Sequence, residues 1–188
     1  MRDPKTKNVI KGNVSYLRGA QNDILSLDRT IVKIRDEYTL SKRTFAFGEV
    51  EYLRDQFKQI VFLWVPAGGI GYKIINTNST QLAIDGGAGG LLEKDPGRPP
   101  SKTGSLIAVQ HVQYKVSSAA VLTEAFSTIW KTKDFSDSLT DFTAGLTCAL
   151  VGNLELKVEF IDSYKNKPSN PSLKKNDTAL VTSFVWKF

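Results

Sequence analysis

Residues 154–160 read LELKVEF and alternate without a break: Leu154, Leu156, Val158 and Phe160 share one face of an extended chain, and Glu155, Lys157 and Glu159 the other. A helix would mix the two sets on every side, so the stretch sorts its side chains only as a strand. The same division recurs in TIVKIRDEY, where Thr30, Val32, Ile34 and Tyr38 oppose Arg29, Lys33, Arg35 and Glu37, and in FAFGEVEYL, where Val50 and Tyr52 oppose Glu49 and Glu51. Period-two runs cover about ten segments, roughly 8–18, 24–38, 43–54, 60–75, 80–92, 105–116, 119–131, 139–151, 154–164 and 177–188, and helical periodicity is absent.

The connections alternate in length. TLSKR (39–43), NTNST (76–80), SSA (117–119) and VGN (151–153) are short, and between them lie RGAQND (18–23), LRDQFKQ (53–59), EKDPGRPPSKTG (93–104), KTKDFSDS (131–138) and KNKPSNPSLKKN (165–176). Short turns on one side and long polar loops on the other are the signature of an up-and-down transmembrane barrel. The expected fold is all-β: an antiparallel up-and-down transmembrane β-barrel of about ten strands, formed by residues 8–188 as one domain behind a disordered segment 1–7.

Aromatic residues point the same way. Tyr16, Tyr38, Tyr52, Tyr72, Tyr114 and Tyr164 are all six tyrosines of the chain, and each falls near a strand end on the apolar face. Trp64, Trp130 and Trp186 also sit near strand ends. Amphipathic rings at both ends with Val, Leu, Ile and Phe between them describe two interfacial girdles, here assigned to the six tyrosines and Trp186.

In such a barrel a charge facing the bilayer midplane costs about 2–4 kcal/mol for Lys or Arg. Arg29, Lys33, Arg35, Glu49, Glu51, Glu155, Lys157 and Glu159 are therefore expected in the lumen, with the cations of the second run facing Glu49 and Glu51 of the third. With about ten strands the interior is narrow, and such a lattice fills much of it. The glycine clusters GGIGYK (68–73) and GGAGG (86–90) lack the strand-to-helix setting of a phosphate cradle and read as facing glycines that allow sharp curvature.

Other classes are disfavoured by composition. One cysteine, Cys148, excludes an internal disulfide, and one histidine, His111, excludes histidine clusters, so no metal or other cofactor is expected. The net charge of +6 comes from 25 basic residues scattered among 19 acidic ones, which argues against nucleic acid. No apolar run approaches the ~18 residues of a membrane helix. An enzyme is not expected, although a barrel lipid hydrolase would use His111 with Asp85 and Ser127 as neighbours. The other competing reading is a soluble lipocalin-like barrel, its apolar face turned inward around a ligand.

The runs RDEYTLSKRTFAFGEVEYLRDQF and GGIGYKIINTNSTQLAIDGGAGG, and the ending KKNDTALVTSFVWKF, are similar to domain-of-unknown-function family 481, whose bacterial members are described as salt-induced outer membrane proteins. The resemblance covers nearly all of residues 8–188 and implies a bacterial outer-membrane β-barrel of unsettled activity, with a structural, envelope-adaptation role or a narrow charge-lined passage for solutes or ions. Family members begin with a signal peptide and an extra hairpin that this chain lacks, so the expected barrel has ten strands, or ten of twelve. Trp186 and Phe188 occupy the aromatic positions of the signal read by the barrel-assembly machinery, while Val181 and Ser183 depart from its pattern. Outer-membrane lipid and lipopolysaccharide are the other expected partners, the latter through Lys165, Lys167, Lys174 and Lys175.

Overall fold

The computed structural model describes residues 7–21 and 24–186, and within them every regular element is a strand. Ten follow in order: β1 (Asn8–Gln21), β2 (Ile24–Thr39), β3 (Thr44–Asp55), β4 (Ile60–Asn76), β5 (Thr80–Lys94), β6 (Ser101–Lys115), β7 (Ala120–Lys131), β8 (Asp134–Val151), β9 (Leu154–Lys165) and β10 (Asn176–Trp186). Each pairs antiparallel with its chain neighbours, in the spatial order β1 to β10. The expected up-and-down meander is the fold.

Two expectations change. The sheet is curled but stays open along a seam between β1 and β10, which do not pair among the described residues. The strands also run further than their apolar alternation: β6 begins at Ser101 and β8 at Asp134, so the expected loops 93–104 and 131–138 shrink to residues 95–100 and to Thr132 and Lys133. A ladder of backbone hydrogen bonds continues past the apolar band because it needs only a neighbouring strand. Residues 1–6 of the expected amino-terminal segment and Phe188 of the expected assembly signal lie outside the described residues.

The turns carry their own chemistry. At one end of the sheet Ser41 Oγ accepts the amides of Arg43 (3.2 Å) and Thr44 (3.0 Å), and Thr77 Oγ1 accepts that of Thr80 (2.9 Å). Gly152, at φ 58°, turns the β8–β9 hairpin, a backbone region that glycine enters at no steric cost. At the other end the β9–β10 connection, residues 166–175, is the longest.

Side chains that reach across the sheet identify its concave face. Arg29 on β2 meets Asp141 on β8, Arg35 on β2 meets Asp85 on β5, and Lys165 on β9 meets Glu93 on β5. Only the inside of a curled sheet brings such distant strands together. The odd-numbered residues of β2 to β9 belong to that side, and its core is an apolar cluster of Phe45, Phe47, Leu53, Leu63, Val65, Leu91, Ile107, Ile129 and Leu139, joined by Ile60 where the β3–β4 register shifts.

Candidate functional site: the filled bore

At mid-height the bore holds a charge lattice anchored on β2. Arg35 is 93% shielded along its side chain and meets three carboxylates: Glu37 at 2.9 Å, Glu49 at 2.8 Å and Asp85 at 3.0 Å. Its guanidinium lies 3.8 Å above the Phe47 ring, a cation–π contact that strengthens as water is excluded. Lys33 bridges Glu49 (3.0 Å) and Glu51 (3.3 Å). Arg29 reaches Asp141 at 2.8 Å and approaches Asp55 at 3.8 Å. The β2–β3 pairing proposed by alternation holds for Lys33 and Arg35, but Arg29 crosses the bore instead of meeting Glu49 or Glu51.

The loop end is packed shut. Glu93 receives Lys165 at 2.5 Å and also Lys131, and Lys131 in turn meets Asp137 at 2.6 Å. These groups sit over Ile60, Leu63, Leu91, Ile129 and Leu139 around a void of only about 10 Å³, room for one water at most. Above them the β3–β4 turn folds inward. Asp55 accepts the amides of Phe57 (3.1 Å) and Lys58 (2.9 Å), Gln59 takes a left-handed φ of 54°, and Lys58 is left 1% exposed. Lys58 then bonds Asp177 at 2.9 Å and the Lys175 carbonyl at 3.1 Å, tying this turn to the start of β10. Ser169 completes the cover: its hydroxyl donates to Gln59 and its carbonyl accepts from Arg98.

Glu93, Lys131, Lys165, Lys58 and Asp141 were not among the lumen residues expected from the sequence. Glu93 shares the phase of Asp85 on β5, which is the signal that places it inside; it was hidden because residues 93–104 read as loop. Lys165 is a correction of a second kind. Expected on an outer loop, it is 4% exposed and turned inward, because β9 continues to that residue and its odd position faces the bore. Lys167 meets Asp134, whose carboxyl is held down at about 2 by hydrogen bonds from Lys167 and Ser136.

Glycines let the wall close on these side chains. A Cβ at Gly69 would lie 2.1 Å from the Gly86 carbonyl oxygen and 2.8 Å from the Phe47 ring, and one at Gly89 would lie 2.0 Å from the Pro66 oxygen. Facing glycines on β4 and β5 therefore bring two backbones together beneath the Phe47 ring on which Arg35 rests.

The turn end is looser. Lys157 and Glu159 pair at 2.5 Å on the wall of β9, and Glu155 follows on the same face. No described ion pair joins Lys157 or Glu159 to the β2–β3 lattice. His111 is exposed on the inner face of β6, opposite Ala83 and Ala125, and no described hydrogen bond joins it to Asp85 or Ser127. Asp85 is instead paired with Arg35 at 3.0 Å. Among the described residues no group of His, Cys, Asp or Glu is arranged to hold a metal.

The convex face is the reverse of a soluble protein. Ile10, Val14, Ile34, Ile70, Ile84, Leu122, Leu180 and Phe184 are all exposed there, the last two above 70%. Tyr16, Tyr38, Tyr52, Tyr72, Tyr114, Tyr164 and Trp186 stand on this face, and Tyr52 packs on Trp64 with ring centres 5.0 Å apart. On β4, Trp64 and Tyr72 are eight positions apart, about 26 Å along a strand and about 20 Å when tilted as barrel strands are. A soluble lipocalin-like barrel would put these aliphatics inside, where Arg29, Arg35 and Glu93 are found. Cys148 lies on the convex side, half-buried and free.

An antiparallel meander with charge inside and an apolar band outside has the inverted polarity of a membrane β-barrel. The chain belongs to the family "Protein of unknown function, DUF481", which it matches over residues 2–188. No curated protein matches it. Among solved structures, the "CymD monoaromatic hydrocarbon channel" aligns with a TM-score of 0.48 and 9% identity, over 97% of this chain and 71% of that one.

Proposed function

We propose that this protein is a bacterial outer-membrane barrel that acts as a structural element of the envelope, its bore sealed at the loop end and cupped at the turn end, and not as an open diffusion pore. The observation that carries the reading is the dry loop end, where Glu93, Lys131 and Lys165 close over the apolar cluster and leave a void of about 10 Å³. A solute on this path would have to part ion pairs that lie almost wholly out of water, and parting such a pair strands an uncompensated buried charge.

The apolar convex band with its tyrosine and tryptophan rims supports the membrane setting, because hydrocarbon is the solvent such a face requires. The loop end then faces outward, where Lys167, Lys174 and Lys175 are placed to meet anionic lipopolysaccharide, and Trp186 lies at the opposite rim for recognition during assembly. Recording from the purified protein in a planar bilayer tests the reading. No conductance steps are expected, and steady ohmic conductance would overturn the sealed bore in favour of a narrow charge-lined passage. A monomer that stays in solution without detergent would overturn the membrane setting itself.

A further inference from the structure

Between the two aromatic rims, on β6 and β7, the convex face carries a polar pair. Gln110 on β6 points outward four positions from Tyr114 and four from Leu106, the residue opposite Trp130, so it lies midway between the two aromatic rims. It donates to Glu124 on β7 at 3.4 Å. That bond leaves the other carboxylate oxygen of Glu124, and the amide oxygen and second N–H of Gln110, with no partner in the chain among the described residues. In hydrocarbon such groups are costly unless another molecule supplies the matching donors and acceptors.

Beside this pair runs a groove of about 560 Å³, with Gly86 and Ala108 at its floor and Ile70, Tyr72, Ile84 and Phe126 along its rims. The backbone does not demand a glycine there. A Cβ on Gly86 would meet only the Ile107 oxygen, at an ordinary 3.6 Å, whereas one at Gly69 would collide. Nothing within the chain fills the space.

The order of side chains across the sheet is self-complementary. Gln110 is opposite Ile84 on β5 and Phe126 on β7, and Ala108 is opposite Gly86. The groove thus lies mainly on the β5 side of Gln110, and the exposed Phe126 ring forms its edge on the β7 side. A two-fold axis along the membrane normal, passing beside β6, sets β7 of one copy against β5 of a second and keeps both in the same membrane orientation. We propose that two copies of this chain pair back to back through β5–β7, each Phe126 seated in the other's groove and the Gln110 and Glu124 groups hydrogen-bonded across the axis. Lipid chains would fill the groove but offer nothing to the amide and carboxyl, which is why a second copy is the better match. The proposal rests on the membrane reading above.

The mass of the wild-type protein in mild detergent, measured by light scattering, is expected to be twice 20.8 kDa. Ala108→Phe, which fills the groove, and Gln110→Leu, which removes the polar contact, are each expected to halve that mass while the band on an unheated gel stays that of the folded protein. In membranes of a Cys148→Ser background, Gln110→Cys is expected to form a disulfide-linked homodimer, and Val50→Cys on β3, three strands from β6 and outside the groove, is not. A monomeric wild type whose Gln110→Cys form cross-links no better than Val50→Cys overturns the proposal. So does a dimer that survives both groove substitutions, or a cross-link from position 110 to a different protein or to none. Failure of the membrane reading looks different: the protein would then remain in solution without detergent whatever its mass.

Discussion

The two ends of the bore use the same residue types to opposite effect. At the loop end Glu93, Lys131 and Lys165 sit on a floor of Leu63, Leu91 and Ile129, and the Glu93 and Lys165 side chains are each 5% exposed. At the turn end Lys157 and Glu159 stay 28% and 23% exposed, and His111 is open. Hydrophobic packing makes the difference. Where aliphatic side chains exclude water, each charge must find a partner at contact distance, and the cluster becomes a rigid stopper. Where water remains, the pairs are screened and contribute little to stability. Phe45 and Phe47 line the turn half, but Leu53, Ile60, Leu63, Leu91, Ile129 and Leu139 gather toward the loop end, so sealing is a property of that half.

Removing the centre of the stopper is the strongest way to break this contrast. Glu93→Gln leaves Lys131 and Lys165 side by side without their shared carboxylate, and is expected to cost about 3–5 kcal/mol in urea unfolding from lipid vesicles. Glu159→Gln at the looser end is expected to cost less than about 1 kcal/mol. Equal losses at the two sites would show that both ends are equally wet.

A smaller effect separates close backbone approach from open wall. Gly69→Ala forces β4 away from β5 and is expected to cost about 1–3 kcal/mol. Gly48→Ala, whose added Cβ meets nothing within 4 Å, is expected to change stability by less than about 0.5 kcal/mol. The same unfolding measurement checks both.

The smallest effect concerns the rim above the stopper. The Asp134 carboxyl is depressed from 3.8 to about 2. A group depressed on folding contributes its stability above the unfolded value, and loses it as pH falls through the folded one. The rim contact with Lys167 is thus expected to be intact at pH 5 and lost near pH 2, and in Asp134→Asn this part of the pH dependence should vanish. An unchanged acid profile in that variant would place the titration elsewhere.

Much of this architecture was legible along the chain. Strict alternation in residues 154–160 and 29–38 set the strands and sorted Arg29, Lys33, Arg35, Glu155, Lys157 and Glu159 onto one face, because successive side chains of an extended backbone must point in opposite directions. The same rule put the tyrosines together on the other. Glu93, Lys131 and Lys165 escaped because they stand where polar sequence, proline-bearing at Glu93 and Lys165, reads as loop, although pairing with a neighbour carries the strands on. Asp141 escaped for another reason: in TDFTAG it is one polar residue among several, and nothing local marks it as the partner of Arg29.

What the sequence determined by itself is therefore the period, the number of strands and the division into two faces, all of them consequences of backbone geometry over a few residues. Which charges meet across the bore, that the bore is stopped at one end only, and that β1 and β10 leave a seam among the described residues were decided by the tertiary structure. Those outcomes rest on contacts such as Arg29 with Asp141, 112 residues apart in the chain. Only the curl of the whole sheet brings such residues within 3 Å of one another, and no local pattern carries it.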